Sequence, residues 1–354
     1  MALDLAKRLK RQGDEVVILA AGVNGALRGE VGDVPVVGID AGLGVQSLAR
    51  FVREVQRNIR TDNPDIILVH LLPLNLLMMA LVRVGALRTP AVLVEHNHRS
   101  MAFEIARRPV RSRLTRLAMR VLYPRAKAIV GVSDRVAVDV ARLAPAAGRI
   151  VAIPNGVDVD RIKAASESTT PESDWFESLS RPRLVAAGRL VEQKGFSDLV
   201  RSFAGTSAAA TGNLVIVGEG PLRQELASLA EELGVGTAVH LIGFTGNPWA
   251  VMARSDLFVL SSVVEGFALV VAEAVACGVP VVSTDCLSGP ADILDGNSRS
   301  RLVPVGDVPA LAEAIDEMVA QGTSLPPARL AEQYTLEMMA EAYRELFVSL
   351  VESE

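Results

Sequence analysis

Residues 256–285 read DLFVLSSVVEGFALVVAEAVACGVPVVSTD. The runs DLFVLSS and PVVSTD are short, apolar and rich in β-branched residues, and Phe267–Cys277 between them has helical length. The stretch predicts strand, helix, strand. Strands that are apolar at nearly every position are buried on both faces, which is the condition of a parallel sheet covered by helices. Two carboxylates, Glu265 and Glu273, interrupt this apolar background. An ionised carboxylate is costly to bury without a partner, so each requires one.

The same alternation covers the chain. Upstream are EVVILAAG (15–22), PVVGID (35–40), DIILVH (65–70), AVLVEH (91–96), AKAIVGVS (126–133) and RIVAIPNG (149–156), mostly separated by helical periodicity as at 47–60 and 101–122. The polar segment 164–181, AASESTTPESDWFESLSR, breaks the pattern and reads as a linker. Beyond it PRLVAAG, NLVIVGEG, AVHLIG, DLFVLSS and PVVSTD restart it, and 335–351 forms a last amphipathic helix. The expectation is an N-terminal α/β domain over 1–163, a linker over 164–181, a second α/β domain over 182–334 and a C-terminal helix over 335–354 packing back toward the first. Both domains are doubly wound parallel sheets, with ligand beyond the carboxyl ends of the strands in the cleft they face.

Composition narrows the function classes. At 354 residues, two domains are expected, and 50% hydrophobic with 22% charged residues describes a folded chain. A net charge of −5 argues against general nucleic-acid binding. Cys277 and Cys286 are the only cysteines, without metal-ligand spacing, so a reducing cytoplasm is expected. No apolar run approaches the ~18 residues of a membrane helix, and the opening does not read as a signal peptide.

The predicted elements place Glu265 in the loop before a helix and Glu273 in its second turn. The free N–H groups expected at Phe267, Ala268 and Leu269 suit a phosphate or a sugar hydroxyl. Glu273 could accept two hydrogen bonds from a ribose diol. On spacing alone an equal reading stands: Glu265 complements the helix dipole and Glu273 pairs with an Arg.

The surrounding motifs add to this. EGFALVVAEAVACGVPVVSTDCLSGPADIL, AAGRLVEQKGFSDLV, IVGEGPLRQEL, GFTGNPWAVMARSDLFVLSS and IPNGVDVDRI together resemble the retaining GT-B glycosyltransferases of family 4, whose signature is E-x7-E. The resemblance covers nearly the whole chain and is densest over 149–305. It implies a metal-independent enzyme without a cofactor, moving a sugar from a nucleotide-diphosphate sugar to a glycan or lipid-linked acceptor. It implies that Glu273 holds the ribose, that Glu265 contacts the transferred sugar, and that Arg189 and Lys194 neutralise the diphosphate. Gly188, Gly243, Phe244, Gly266, Phe267, Ala268 and Leu269 would complete the donor site. His96, at the end of AVLVEH, would face the donor sugar, with His98 the weaker candidate. The chemistry of a leaving diphosphate independently favours fixed cations beside it.

Two patterns are set aside. Asp158 and Asp160 spell D-V-D, but they follow IPNG in what the resemblance makes a turn, not a metal site. Gly218 and Gly220 suggest a dinucleotide loop, yet position 223 is Arg where the third glycine belongs. Neither a divalent metal nor NAD is expected.

The resemblance also implies an apolar strand and a glycine-rich loop ahead of a helix reading much like ALDLAKRL; Met1 is expected already inside that helix, with the first strand and the loop missing from the sequence as given. The expectation is that the start is misassigned and that an extended chain is more stable. A non-catalytic nucleotide-sugar binder is the alternative, and an epimerase of the same fold is disfavoured by E-x7-E. Finally, residues 99–127 hold eight Arg and one Lys against the single acid Glu104. This is either a solvated helix face or a surface for anionic lipid head groups, placing the protein in the cytoplasm and peripherally on the inner membrane face.

Overall fold

The computed structural model describes residues 1–21, 32–39, 45–105, 108–322, 330 and 332–352. Asp40 of the second predicted strand, Arg107 of the basic segment and residues 353–354 of the C-terminal helix lie outside these. The chain divides into two units. One comprises Met1–Arg99, Arg108–Gly156 and Leu336–Glu354, the other Ser100–Arg107 and Val157–Thr335.

The first unit contains strands β1 (Ile18–Ala21), β2 (Val36–Ile39), β3 (Ile67–His70), β4 (Ala91–Glu95), β5 (Ala128–Gly131) and β6 (Arg149–Ala152). Among the described residues β1 and β2 pair with each other, and β3-β4-β5-β6 form a separate sheet, all parallel. Every residue of β4 and β5 is buried, which is why both read as apolar runs, apart from Glu95 at the end of β4. The helices are α1 (Ala2–Arg11), α2 (Val45–Asp62), α3 (Leu72–Arg83), α4 (Arg99–Ile105, counted from Ser100 with the second unit), α5 (Pro109–Leu122) and α6 (Asp134–Leu143). The predicted segment 101–122 is thus two helices, with Pro109 in the first turn of the second.

The second unit contains α7 (Val159–Ser166), α8 (Pro171–Ser178), β7 (Arg183–Ala187), α9 (Phe196–Ala204), β8 (Asn213–Val217), α10 (Arg223–Glu232), β9 (Val239–Gly243) and α11 (Pro248–Met252). It continues with β10 (Leu257–Leu260), α12 (Leu269–Ala276), β11 (Val281–Thr284), α13 (Pro290–Leu294), β12 (Ser300–Val303) and α14 (Val308–Gln321). Its six strands form one parallel sheet in the order β12-β11-β10-β7-β8-β9. From β7 the chain runs outward to β9, returns to β10 on the other side of β7, and runs outward again. The order therefore reverses between β7 and β10, and the carboxyl ends of those two strands flank a crevice where such sheets bind ligands. Strand β12 was not anticipated; its pattern SRLV is too short and mixed to stand out.

The 164–181 segment is not a linker. Thr170 and Ser173 exchange hydrogen bonds as a capping box for α8, and Phe176 is fully buried beneath the Arg183 guanidinium. Asn247 Nδ2 donates to Ala165 O (2.8 Å) and Arg254 Nη1 to Ser166 O (2.9 Å), tying the segment into the second unit. Its Ser and Thr content reflects caps rather than a tether. The first unit takes back the last helix, α15 (Leu336–Val351), which packs on α1 with an Arg8–Glu337 ion pair.

Candidate functional site

The crevice of the second unit is built by two loops. After β7 the chain passes through Gly188 and exposed Arg189 into a short 3₁₀ turn, Glu192–Lys194, closed by Gly195. After β10 it runs through Ser261, Ser262 and Glu265 to α12. The loops are laced together: Val263 N donates to Gln193 O (2.9 Å), Gln193 Nε2 to Val264 O (2.8 Å) and Ser261 Oγ to Lys194 O (2.8 Å). Gly195 permits this approach. Its φ is +61°, and a Cβ there would lie 2.1 Å from Ser261 O. Gly218 does the same for β8, since a Cβ would lie 1.9 Å from Gly188 O.

Within this frame Glu265 is 8% exposed and finds its partners. Its Oε1 accepts from Lys194 Nζ at 2.7 Å and from Ser262 Oγ at 2.6 Å. The sequence therefore brings Lys194 and Glu265 together, whereas Arg189 makes no ion pair among the described residues. The Glu265 partner is a lysine and a hydroxyl rather than the helix dipole alone. Burial and the Glu265 charge push the neighbouring Cys286 thiol up to about 12, so it is an inert core group.

Helix α12 begins two residues later than the sequence indicated. Ala268 is its N-cap in the left-handed region (φ +50°), so the helical N–H groups begin at Leu269, and Phe267 and Ala268 belong to the preceding turn. Glu273 stands half-buried in the second turn; burial, with its charge four residues away, pushes the Cys277 thiol up to about 12. At the end of β9, Gly243 O accepts from Gly218 N (2.8 Å), and Phe244 is 77% exposed, presenting an aromatic face to solvent. Gly266 lies buried between Glu265 and the α12 turn.

In the first unit His96 follows β4 and has a partner the sequence reading missed. His70 Nδ1 lies 2.9 Å from His96 Nε2, with the rings stacked at 25°. Burial, foremost, pulls the pKa of both below the ordinary value, that of His70 to about 3. His70 was findable, because it ends DIILVH as His96 ends AVLVEH, at the carboxyl ends of paired parallel strands. His98 instead faces the buried Asp139 carboxylate at 3.5 Å. Among the described residues no three His, Cys, Asp or Glu side chains converge as metal ligands, and Asp158 caps α7 by accepting from Arg161 N.

Two family models match the chain: Glycosyltransferase Family 4 over residues 1–161 and Glycosyl transferases group 1 over 172–335. Among curated proteins, an uncharacterised glycosyltransferase of Methanocaldococcus jannaschii is 35% identical over 40% of this chain and 35% of its own length. The N-acetylgalactosamine-N,N'-diacetylbacillosaminyl-diphospho-undecaprenol 4-alpha-N-acetylgalactosaminyltransferase of Campylobacter jejuni is 32% identical over 47% of this chain and 43% of itself. The 2-deoxystreptamine N-acetyl-D-glucosaminyltransferase of Streptomyces fradiae is 30% identical over 73% and 64%. The matched stretches thus span between 35% and 64% of these relatives. Among solved structures, a glycosyltransferase of Rickettsia africae superposes with TM-score 0.74 at 17% identity, covering 99% of this chain and 94% of that one. The Anabaena protein HepE in complex with UDP does so with TM-score 0.71 at 19% identity, covering 100% and 94%. The chain belongs to the group 1, family 4 type of glycosyltransferases and has their two-unit GT-B fold.

Proposed function

We propose that the chain transfers a sugar from a nucleoside diphosphate sugar to a glycan or lipid-linked acceptor, with retention at the anomeric carbon and without a divalent metal. The observation that carries this reading is the Lys194–Glu265 pair held beside the switch point of the second sheet. The Anabaena structure holds UDP, and a Mycolicibacterium smegmatis relative is a GDP-mannose-dependent mannosyltransferase, so the donor class fits both neighbours.

In this reading Glu273 holds the ribose diol and Phe244 and Gly243 border the base. Gly188, Gly266 and the turn Phe267–Ala268 let the diphosphate approach the α12 N–H groups from Leu269 onward. Arg189 and Lys194 meet the charge that grows on the diphosphate as the bond to the anomeric carbon breaks. The acceptor hydroxyl attacks from the same face and gives its proton to the departing phosphate oxygen, which balances the step. Removing one cation of this kind typically costs ~2.7–4 kcal/mol of transition-state stabilisation. Glu265 contacts hydroxyls of the transferred sugar while keeping the Lys194 ammonium in place. His96 of the first unit takes the sugar contact the resemblance assigns to it.

The acceptor side is inferred from α5. Val110, Leu114, Leu117 and Val121 are 70%, 63%, 59% and 44% exposed. At ~100° per residue they fall within roughly a 60° arc, while the buried Ser112 and Met119 lie on the opposite side. Exposed Arg111, Arg113 and Arg120 flank the stripe. A helix with an apolar stripe turned from its own core and edged by arginine suits an anionic membrane surface. No helix among the described residues is long and apolar enough to cross a membrane. We infer a cytoplasmic enzyme lying peripherally on the inner membrane face.

The test is a thermal-shift screen with UDP, GDP and ADP and their common sugars, followed by release of nucleoside diphosphate. A ligand at ~100 times its Kd adds ~2.7 kcal/mol of stability. Stabilisation by one base, lost in Glu273→Ala, and turnover with an added acceptor are expected. Binding without turnover on any acceptor would instead make the chain a nucleotide-sugar binder.

A further inference from the structure

The carboxyl end of β4 is clamped from both sides. Glu95, the last residue of the strand, is fully buried. Its Oε1 accepts from Asn75 Nδ2 (2.9 Å) on α3 and from the Tyr123 hydroxyl after α5, while Oε2 accepts from Arg99 Nε (2.5 Å). A buried carboxylate with three donors, one of them cationic, is a strong anchor. His96 is the next residue. Successive side chains of a strand alternate between faces, and the His96 ring meets His70 of the neighbouring strand.

That contact restricts chemistry as well as position. Two neutral imidazoles whose nitrogens approach to 2.9 Å share one proton, so one ring donates and the other accepts. The contact couples the two rings: when His70 Nδ1 donates, His96 Nε2 accepts and its Nδ1 carries the proton, and when His96 Nε2 donates, its Nδ1 accepts. Among the described residues His96 Nδ1 has no hydrogen-bond partner. An isolated histidine at a strand end would turn about its ring torsion and exchange tautomers. The pair restrains the ring torsion, ties the His96 tautomer to that of His70, and leaves one His96 nitrogen for a ligand.

We propose that His70 is a positioning residue for His96: it holds the ring plane and couples the His96 tautomer to its own, so that His96 Nδ1 meets the transferred sugar in the hydrogen-bonding role the pair sets. This rests on the reading of His96 as a sugar contact. It adds to that reading a residue outside the motifs that carry the resemblance, acting through His96 rather than on substrate. Loss of such an orienting contact is expected to slow the chemical step by about 10–100-fold while leaving donor affinity nearly unchanged.

The experiment uses the full chain and its four histidines, which makes imidazole nitrogen spectra tractable. In long-range proton–nitrogen spectra of ¹⁵N-histidine protein, His96 should show the widely separated nitrogen shifts of one tautomer. In His70→Leu they should collapse toward the average of two tautomers. In His70→Asn, whose amide lies where Nδ1 stood, the separation should persist. Turnover is followed with whichever of UDP-glucose, UDP-N-acetylglucosamine or GDP-mannose stabilises the protein. His70→Leu should lower kcat at nearly constant KM, His70→Asn should recover most of it, and His70→Leu should add nothing in a His96→Ala background. If His70→Leu fails to fold, His70→Gln replaces it, since its amide reaches past the Nδ1 position. Unchanged His96 nitrogen shifts in His70→Leu, or an equal loss without His96, overturn the proposal. A locked tautomer together with full turnover in His96→Ala instead overturns the role given to His96.

Discussion

Lys194 Nζ donates to Glu265 Oε1 at 2.7 Å across 71 positions of sequence, with the two side chains 19% and 10% exposed. Each is the principal counter-charge of the other. Removing one side of a buried pair costs ~3–5 kcal/mol, because the remaining charge is left without compensation. The Ser262 hydroxyl and the partial exposure of Lys194 lessen the cost here. Lys194→Met is therefore expected to destabilise by roughly 2–3 kcal/mol. Glu265→Gln should cost less, and the double variant less than the sum by ~0.5–3 kcal/mol. Calorimetry on the four proteins measures the coupling; strict additivity would mean the pair does not hold in solution.

Gly195 makes a second prediction about the same loops. Gly195→Ala forces a left-handed backbone on an L-residue, at ~1–2 kcal/mol, and drives a methyl into Ser261 O. The turn must move, taking Lys194 away from Glu265. The melting temperature should fall, and stabilisation by nucleotides should disappear with it. Gly148→Ala, with no heavy atom within 4 Å of its added methyl, is the control and should stay within ~0.5 kcal/mol of the parent. Equal behaviour of the two variants would remove the case for a tight loop crossing.

The alternation of strands and helices was legible because burial on both faces writes itself as apolar runs, interrupted only at an end by Glu95 in β4, Arg183 in β7 and Asn213 in β8. The role of α8 was not legible, because Ser and Thr in a capping box have the composition of a tether. The start of α12 was misplaced because nothing in GFAL announces that Ala268 takes a positive φ. Glu265 was visible as a buried charge needing a partner, but Lys194 as that partner was not foreseen, since the resemblance gives the two residues separate roles toward the donor. The contacts that shape the first unit were legible only in part: His70 and His96 stood at visible strand ends, but their pairing was not written there. His70 and His96 are 26 positions apart, and Glu95 gathers donors from α3, the start of α4 and the residue after α5. Pairings between elements depend on strand register, which a single sequence does not print.

The α5 surface gives a prediction with two independent arms. The protein should sediment with vesicles rich in phosphatidylglycerol more than with phosphatidylcholine, and less as salt rises. Replacing Arg111 and Arg113 by Gln removes about 1 kcal/mol each near an anionic surface, roughly 30-fold for the pair. Leu114→Asp with Leu117→Asp should abolish binding at all salt concentrations, because the apolar contribution is not screened. Neither variant touches the buried Ser112 or Met119, so the fold should be retained. Equal sedimentation with neutral and anionic vesicles would eliminate the membrane reading. Concentration-dependent self-association lost in the Leu114→Asp/Leu117→Asp variant would assign the stripe to a second copy of the chain.

The histidine pair predicts a dependence of stability on pH whose sign can be worked out. His70 carries its proton at about 6.5 in the unfolded chain and only at about 3 in the folded one, because of burial first and His96 second. Between those values the unfolded state binds more protons, so stability rises with pH across the window and falls as pH drops below 6.5. The slope approaches ~1.4 kcal/mol per pH unit for a single group, which gives a loss of about 2 kcal/mol at pH 5. His96 shifts in the same direction through its own burial, although the Glu95 charge opposes it. Carboxylate titrations also weaken the protein in acid, but they are common to the parent and His70→Asn and cancel in the difference between them. The stability advantage of the parent should therefore be largest near pH 8 and shrink steadily toward pH 5. A difference that stays constant across that range would mean that His70 accepts a proton in the folded state, and with it that the pair is not held neutral.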